Sequence, residues 1–270
     1  MTGEAGCVVV LARALSADSS SDDIEIAIRE AIGARLGAAA CRGVRVRSQP
    51  RALAKGHIDA VEVALDDVRL EQLPLPGAAP EAVGQVHRGR IEELLFDVTS
   101  LEVAGLIASR ARLAARQVDY ALEVGQSVSR LWLTDIAAGE AELHIGRLEL
   151  VRTIEHRVAS VRKLDLTLHP GGHVEARGTV RVGAFGIRGT LSGELGIENG
   201  EAIVLRRVDL RAGILGAPEA VRETVVRSVN PLIDVRTLLD RPFGIRLTSV
   251  ETTAEELTVS AVLSANGPST

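Results

Sequence analysis

Two short motifs bring together side chains that could do chemistry. The segment HPGGH places His169 and His173 on either side of a tight turn, where two imidazoles could clip a metal ion. Protein zinc sites use three or four ligands, and no cysteine or carboxylate in this loop completes such a set. The other histidines are scattered along the chain. The segment therefore predicts a solvated turn, and no metal ion is expected.

The second motif, GTLSG at residues 189–193, has the composition of a serine-hydrolase signature but not its spacing. The nucleophile elbow G-x-S-x-G has a central serine, whereas Ser192 stands one position late. Adjacent carboxylates such as Asp66 and Asp67 point to opposite faces of a strand, so they do not converge as acid and base. The sequence contains no phosphate-loop or dinucleotide fingerprint. We expect neither an enzyme nor a cofactor.

The composition excludes one class of partner. The 270 residues include one Trp, one Tyr and three Phe, and the formal net charge is −5. Proteins that bind nucleic acid by stacking need aromatic platforms, and those that bind the phosphate backbone are basic. No nucleic-acid partner is expected.

The sequence also bears on location. No apolar run approaches the roughly 20 residues of a membrane span. The apolar stretch 7–15 is interrupted by Arg13 and follows Glu4 instead of a positive charge, unlike a standard export signal. Cys7 and Cys41 are predicted to be reduced thiols, because one pair at this spacing is neither a metal motif nor a disulfide framework. A cytoplasmic or peripheral membrane location is favoured.

Two segments have the periodicity of amphipathic helices. Residues 22–41 follow a polar N-capping segment and carry aliphatic residues such as Ile24, Ile28 and Ile32 on one face. Residues 218–229 begin with a proline and end before Asn230 and Pro231.

Most of the remaining chain alternates between polar and apolar residues, which is typical of strands with one face in water. Predicted strands lie at residues 44–48, 57–70, 91–103, 118–124, 141–150, 163–169, 174–198, 201–213, 243–250 and 257–263. Residues 104–116 and 151–162 fit either a strand or a helix. Changes of phase inside 57–70 and 91–103 predict β-bulges, and Asn199-Gly200 predicts a hairpin turn.

Glycines interrupt the strand pattern between residues 178 and 196, where they predict bends. We expect an α+β fold in which a strongly curved, mainly antiparallel sheet is wrapped on two amphipathic helices. Residues 21–264 are predicted to form this single domain, after a flexible segment at 1–20 and before a disordered tail at 265–270.

The predicted sheet has more apolar surface than the two helices can cover. About nine strands are roughly 43 Å across, whereas a helix is about 10 Å wide. Three outcomes remain open: the sheet rolls up around a helix, the protein dimerises, or an apolar groove stays available for a ligand. Such a groove would suit acyl chains, since each buried methylene contributes about 0.8 kcal/mol.

The C-terminal half resembles a known family. The helix ending at Asn230-Pro231, the Asp234-Val235 turn, the strand around 242–247 and the final Leu257-Thr258-Val259 strand follow the order found in the LmeA-like phospholipid-binding proteins of bacteria. The resemblance implies a tubular-lipid-binding architecture, phospholipid binding at the cell envelope and no catalysis.

Together these patterns predict a non-enzymatic protein that holds phospholipid or another acyl lipid between the concave sheet and the second helix, with a role in envelope lipid homeostasis or transfer. Peripheral contact with a membrane stays open. Strand parity selects the candidate lining: Val180, Val182, Ile187, Leu191, Leu195, Val221, Val225, Phe243, Ile245, Leu247, Leu257 and Val259. The alternative is an interaction scaffold whose apolar face is buried by a homodimer or by an envelope protein.

Overall fold

Strands dominate the structure. A computed structural model describes residues 9–11, 19–76, 84–103, 105–124, 129–158, 161–182, 185–212, 215–216, 219–238 and 244–265. Its strands are β1 (Val9–Leu11), β2 (Cys41–Arg47), β3 (His57–Arg69), β4 (Gln85–Val103), β5 (Leu106–Val124), β6 (Ser129–Gly146), β7 (Val161–Leu168), β8 (His173–Val182), β9 (Phe185–Glu198), β10 (Ala202–Ala212), β11 (Leu215–Gly216), β12 (Ile233–Asp234), β13 (Gly244–Thr252) and β14 (Glu256–Ser264). Its α-helices are α1 (Ser21–Leu36), α2 (Pro50–Leu53), α3 (Arg147–Arg157) and α4 (Glu219–Val229). The fold is thus mostly β, with a few helices.

The strands form two sheets instead of the single one expected. The first has the order β13-β14-β6-β5-β4-β3-β2, with β1 also paired to β6, and it is mixed because β3 and β4 run parallel. The second has the order β11-β10-β9-β8-β7, with β12 also on β10, and is antiparallel and curled into a half-barrel. The curvature expected for residues 174–198 therefore belongs to the second sheet.

Helix α1 is shorter than the predicted 22–41. A capping box begins it: the Asp23 N–H donates to the Ser20 hydroxyl at 3.2 Å, and the Ser20 N–H donates to the Asp23 carboxylate at 3.0 Å. The helix ends before Gly37, which adopts φ 94°. The chain then enters β2 at Cys41, whose thiol is free. Burial raises the pKa of this thiol above its ordinary value.

The first turn of α3 was wrongly predicted as the end of a strand at 141–150. The leucines at 148 and 150 alternate as in a strand, but Leu150, Ile154 and Val158 also recur every four residues. In the helix Leu150 is buried, whereas Leu148 is turned outward and is 61% exposed. The other ambiguous segment, 104–116, mainly continues as the long strand β5.

Bulges and glycines occur together in the curled sheet. The pairing of β7 with β8 shifts between Arg162 and Asp165, and that of β10 with β9 shifts between Arg206 and Asp209. Gly178 and Gly193 lie opposite these two bulges. A Cβ on Gly193 would lie 2.9 Å from the Arg206 carbonyl oxygen. Gly193 thus makes room for the extra residue of the β10 bulge, whereas a Cβ on Gly178 would make only ordinary contacts, at 3.4 Å or more, with the β7 bulge.

The sequence also predicted changes of phase in two strands of the first sheet and a hairpin turn in the second. In the first sheet Asp67 and Ser100 adopt φ 51° and 59° side by side, where changes of phase were predicted. The pairing of β3 with β4 and of β4 with β5 keeps its register across them, so the predicted β-bulges are not present in these ladders. The hairpin between β9 and β10 turns at Asn199 and Gly200, with φ 54° and 72°, as the Asn-Gly pair predicts.

We expect Gly193→Val to destabilise the protein by about 1–3 kcal/mol, because the new side chain would meet the backbone of the β10 bulge. Urea unfolding followed by circular dichroism measures this change as a lower midpoint at constant slope. Gly43→Val is the matched control, since Gly43 is also in a strand but a Cβ there would have open space. Equal midpoints for the two variants would contradict the role assigned to Gly193.

One continuous hydrophobic core joins both sheets. At one end of the first sheet, Ile28 and Ile32 of α1 pack over β3, β4 and β6. At the other end, residues 232–235 lie between the two sheets, with Ile203 of β10 and Ile233 nearly inaccessible. Among the described helices, none is both long and apolar enough to cross a membrane.

Candidate functional site

An aliphatic cavity of about 90 Å³ lies between the second sheet and helices α3 and α4. We call it the helix-covered cavity. Its floor is formed by side chains of β7, β8, β9 and β10, and its roof by Leu150, Ile154, Val225, Val229 and the adjacent Leu232. Seventeen of the described residues line it, and all of them are aliphatic or glycine, so these walls offer no side-chain hydrogen bond to a ligand.

The floor is concave because small residues occupy its centre. Leu166, Ala176, Leu191 and Leu210 form one row across four neighbouring strands. Residues directly opposite in a ladder share a face, so the alanine leaves space between two leucines. In the next part of the ladder Gly178 pairs with Gly189, and both line the cavity. Gly178 and Gly189 therefore leave space in the cavity floor, in the part of the sheet that bends.

Helix α4 is fastened to the sheet at its C-terminal end. The Asn230 side-chain oxygen accepts from the Leu205 N–H at 2.8 Å, and its amide group donates to the Leu205 carbonyl oxygen at 2.9 Å. The Asn230 side chain thus makes the two hydrogen bonds to the Leu205 N–H and carbonyl oxygen that a neighbouring strand would otherwise make. This places Val225 and Val229 over the cavity.

A second aliphatic cavity, of about 70 Å³, lies against the first sheet. It is lined by Leu73, by Val98 of β4, and by residues of β13 and β14. Ile233 and Val235 line it as well, whereas the nearby Leu232 lines the helix-covered cavity. Residues 232–235 therefore separate the two cavities.

The predicted lining residues divide between these two places. Leu191, Leu195 and Val225 line the helix-covered cavity. Ile245, Leu247 and Val259 line the second cavity. Leu257 is fully buried in the core and lines neither. The structure therefore does not bring the predicted set into one groove, because the C-terminal hairpin joins the first sheet and β8 and β9 belong to the second.

Five predicted residues cannot be assigned to a cavity. Phe243 lies outside the described residues. Val180, Val182, Ile187 and Val221 are on described elements, but their side chains are outside the description.

Sequence reasoning missed the roof contributed by α3. Leu150 and Ile154 recur at helical spacing, which was the available signal, but the strand-like alternation at 148 and 150 obscured it. It also missed Ala176, whose importance comes from its small size and its place in the row.

The histidine motif forms a turn, as predicted. The His169 N–H donates to the His173 carbonyl oxygen at 2.9 Å, and the two rings are 5.6 Å apart. The Gly172 N–H donates to the Thr252 hydroxyl at 2.8 Å, which ties the turn to β13. In the described part of the chain, no three histidine, cysteine or carboxylate side chains are grouped as a metal site would require.

The chain was compared with family models, with curated protein sequences and with solved structures. None of the three comparisons found a match. The resemblance to the LmeA-like family stays a prediction.

Proposed function

We propose that the protein binds an acyl chain of a phospholipid in the helix-covered cavity and has no catalytic role there. The observation that carries this proposal is the uniformly aliphatic lining, to which two helices and four strands contribute. An acyl chain needs no hydrogen bonds, and each methylene removed from water favours binding by about 0.8 kcal/mol. A polar ligand would gain no compensation for its lost hydration.

The volume of the cavity determines how a chain would enter. An aliphatic cavity of about 150 Å³ accommodates a molecule of the size of benzene, so about 90 Å³ holds only part of an acyl chain. A longer chain requires α3 or α4 to move away from the sheet. Since Asn230 fastens the C-terminal end of α4, we propose that the other end of α4 moves.

The alternative function as an interaction scaffold has less support. A docking surface would expose a continuous apolar strip. Among the described residues, only three large hydrophobic side chains are exposed, Ile26, Ile107 and Leu148, which is too few for such a strip.

Protein purified from a bacterial host is expected to carry phospholipid. Native mass spectrometry should show a monomer with an added mass, and organic extraction should release a phospholipid of that mass. A ligand-free monomer in both measurements would contradict the proposal. A ligand-free dimer would favour the scaffold.

A further inference from the structure

Exposed arginines recur on the outer face of the second sheet, opposite the face that forms the floor of the helix-covered cavity. The strand register arranges them in two neighbouring rows. In the first row Arg162 of β7 pairs with Thr179 of β8, which pairs with Arg188 of β9. Residues directly opposite in a ladder share a face, so one short side chain stands between two arginines.

The second row repeats this pattern one strand further on. Arg177 of β8 pairs with Thr190 of β9, which pairs with Arg211 of β10, and Asp165 of β7 completes the row beside Arg177. Arg177 and Thr179 are two positions apart on β8, so both rows lie on the same face. We call the four arginines of these rows the arginine patch: Arg162, Arg177, Arg188 and Arg211.

The arginine patch is accessible to a partner. All four residues are exposed, and the side chains of Arg177 and Arg211 are 68% and 71% exposed. Their neighbours along the strands, such as Ala176 and Leu191, face the other way and line the cavity. The alternation of the strands therefore presents the arginines together on one open surface.

Two arginines of the patch have acidic partners. The Arg177 guanidinium donates to the Glu175 carboxylate at 2.8 Å, and the Arg211 guanidinium donates to the Asp209 carboxylate at 2.8 Å. Glu175 and Asp209 both pair with Ser192, so they lie in the next row, on the side away from the first row. The second row is therefore only partly neutralised.

The first row keeps its positive charge. Neither Arg162 nor Arg188 forms an ion pair with a carboxylate of the described residues. Across the two rows four arginines stand against one carboxylate, so the sum is 4 − 1 = +3, and +1 remains when the two carboxylates of the next row are included. The whole chain has a formal charge of −5. The arginine patch is therefore a local positive region on an acidic protein.

The patch lies at the end of the sheet where α4 begins. Gly216 of β11 pairs with Arg211, and α4 starts three residues later at Glu219. Three residues span at most about 11 Å, so the N-terminal end of α4 is near the patch. The opposite end of α4 is fastened to Leu205 by Asn230. The end of α4 that we propose to move is thus the one beside the arginine patch.

The cavity reaches the same part of the sheet from its inner face. Gly178 and Gly189, which pair with each other and line the cavity, lie between the two arginine rows along β8 and β9. The outer and inner faces of one short stretch of sheet therefore carry the arginine patch and part of the cavity floor.

We propose that the arginine patch docks on the surface of an anionic membrane. A guanidinium presents a planar fork of N–H donors that matches the phosphate oxygens of lipid head groups. The patch extends across three strand spacings, roughly 14 Å, and the outer face of a half-barrel is convex, so it fits an array of head groups better than one small anion. Nucleic acid is the less suitable polyanion, because the chain as a whole is acidic.

Docking in this orientation would bring the moving end of α4 to the bilayer that supplies the acyl chain. This consequence rests on the proposed function, whereas the docking itself requires only the charges of the patch.

Sedimentation of the full chain with vesicles tests the docking. We expect the protein to sediment with phosphatidylglycerol vesicles and not with phosphatidylcholine vesicles, and added salt should weaken the binding because it screens exposed charges. One arginine near an anionic surface strengthens binding about fivefold. Arg162→Gln combined with Arg188→Gln should therefore weaken binding to phosphatidylglycerol vesicles roughly thirtyfold.

The matched control is Arg88→Gln combined with Arg116→Gln. These arginines are also exposed on strands, but they belong to the first sheet, so the same total charge is removed away from the patch. The control should bind phosphatidylglycerol vesicles within about twofold of the original protein, since screened charges act only over short distances. Circular dichroism checks that both double variants are folded. Equal weakening in the two double variants, no weakening in either, or equal binding to both kinds of vesicle would overturn the proposal.

Two further measurements separate this inference from the alternatives. Ala176→Leu fills the cavity without changing charge, so it should bind vesicles as the original protein does. Vesicle binding by a protein that carries no phospholipid would contradict the proposed function alone, and phospholipid content without vesicle binding would contradict the docking alone. Equal binding to duplex DNA at the same salt concentration would identify a nucleic-acid partner and overturn the proposal.

Discussion

Leu191→Arg is expected to remove bound phospholipid from the purified protein while leaving the strand signal in circular dichroism. Leu191 is half-buried at the centre of the cavity floor, between Ala176 and Leu210 in the ladder. A guanidinium there loses the aliphatic contacts and places a charge beside the acyl chain. Losing contact with two methylenes already weakens binding by more than about tenfold. The long side chain can turn its charged end to solvent, which preserves the fold.

The control for this variant is Ile107→Arg. Ile107 is 43% exposed on β5 of the first sheet, so the same new charge is introduced away from the cavity. Its phospholipid content, measured by native mass spectrometry and extraction, should equal that of the original protein. Loss of lipid from both variants would show that the charge acts non-specifically.

A companion substitution distinguishes a ligand site from an ordinary packing void. Ala176→Leu adds aliphatic volume at the same row without adding charge. If the cavity binds lipid, phospholipid content falls, and the ligand-free protein gains about 1 kcal/mol of stability from the filled space. Full phospholipid content in a folded Ala176→Leu protein would place the lipid elsewhere.

The second large expected effect is a loss of stability when the ion pair between Glu123 and Arg130 is broken. These residues are opposite each other at the adjoining ends of β5 and β6, and the Glu123 side chain is only 7% exposed. The same carboxylate accepts from the Gly84 N–H at 2.5 Å, just before β4. Arg130→Met would remove the guanidinium from beside a buried carboxylate. We expect a loss of about 3 kcal/mol in the free energy of unfolding.

A double-mutant cycle tests this explanation. The double variant Glu123→Gln with Arg130→Met carries neither charge of this pair, so it should recover more than half of the loss measured for Arg130→Met. Arg110→Met serves as the control, because the pair of Arg110 with Asp97 is exposed and should contribute less than about 1 kcal/mol. Fully additive losses in the double variant would contradict a direct interaction between Glu123 and Arg130.

The position and period of most elements could be predicted from the sequence. Alternation located the C-terminal strands β13 and β14, and the Asn199-Gly200 pair located the hairpin between β9 and β10. These features are local: one face of each strand is buried, and a two-residue turn requires backbone angles that asparagine and glycine adopt readily. The predicted helix at 218–229 corresponds to α4, because helical periodicity is also a local property of the sequence.

Strand pairing could not be predicted in the same way. The alternating pattern of β8 would suit any neighbour with one apolar face, so it does not distinguish one curved sheet from two. The parallel contact of β3 with β4 and the division after β6 arise from contacts between segments distant in the chain. Helix α3 lies at that division, and its short apolar pattern is ambiguous by itself.

The candidate sites follow the same distinction. The sequence by itself determined that the chain has abundant aliphatic strand surface, few aromatic residues and glycines where strands bend. Tertiary structure alone decided that Leu191 and Val225 face one cavity while Leu247 and Val259 face another. It also brought Leu150 and Val225 to the roof of one cavity, although their positions in the sequence differ by 75. Periodicity shows which side of an element is buried, whereas the identity of its neighbours depends on the packing of the whole chain.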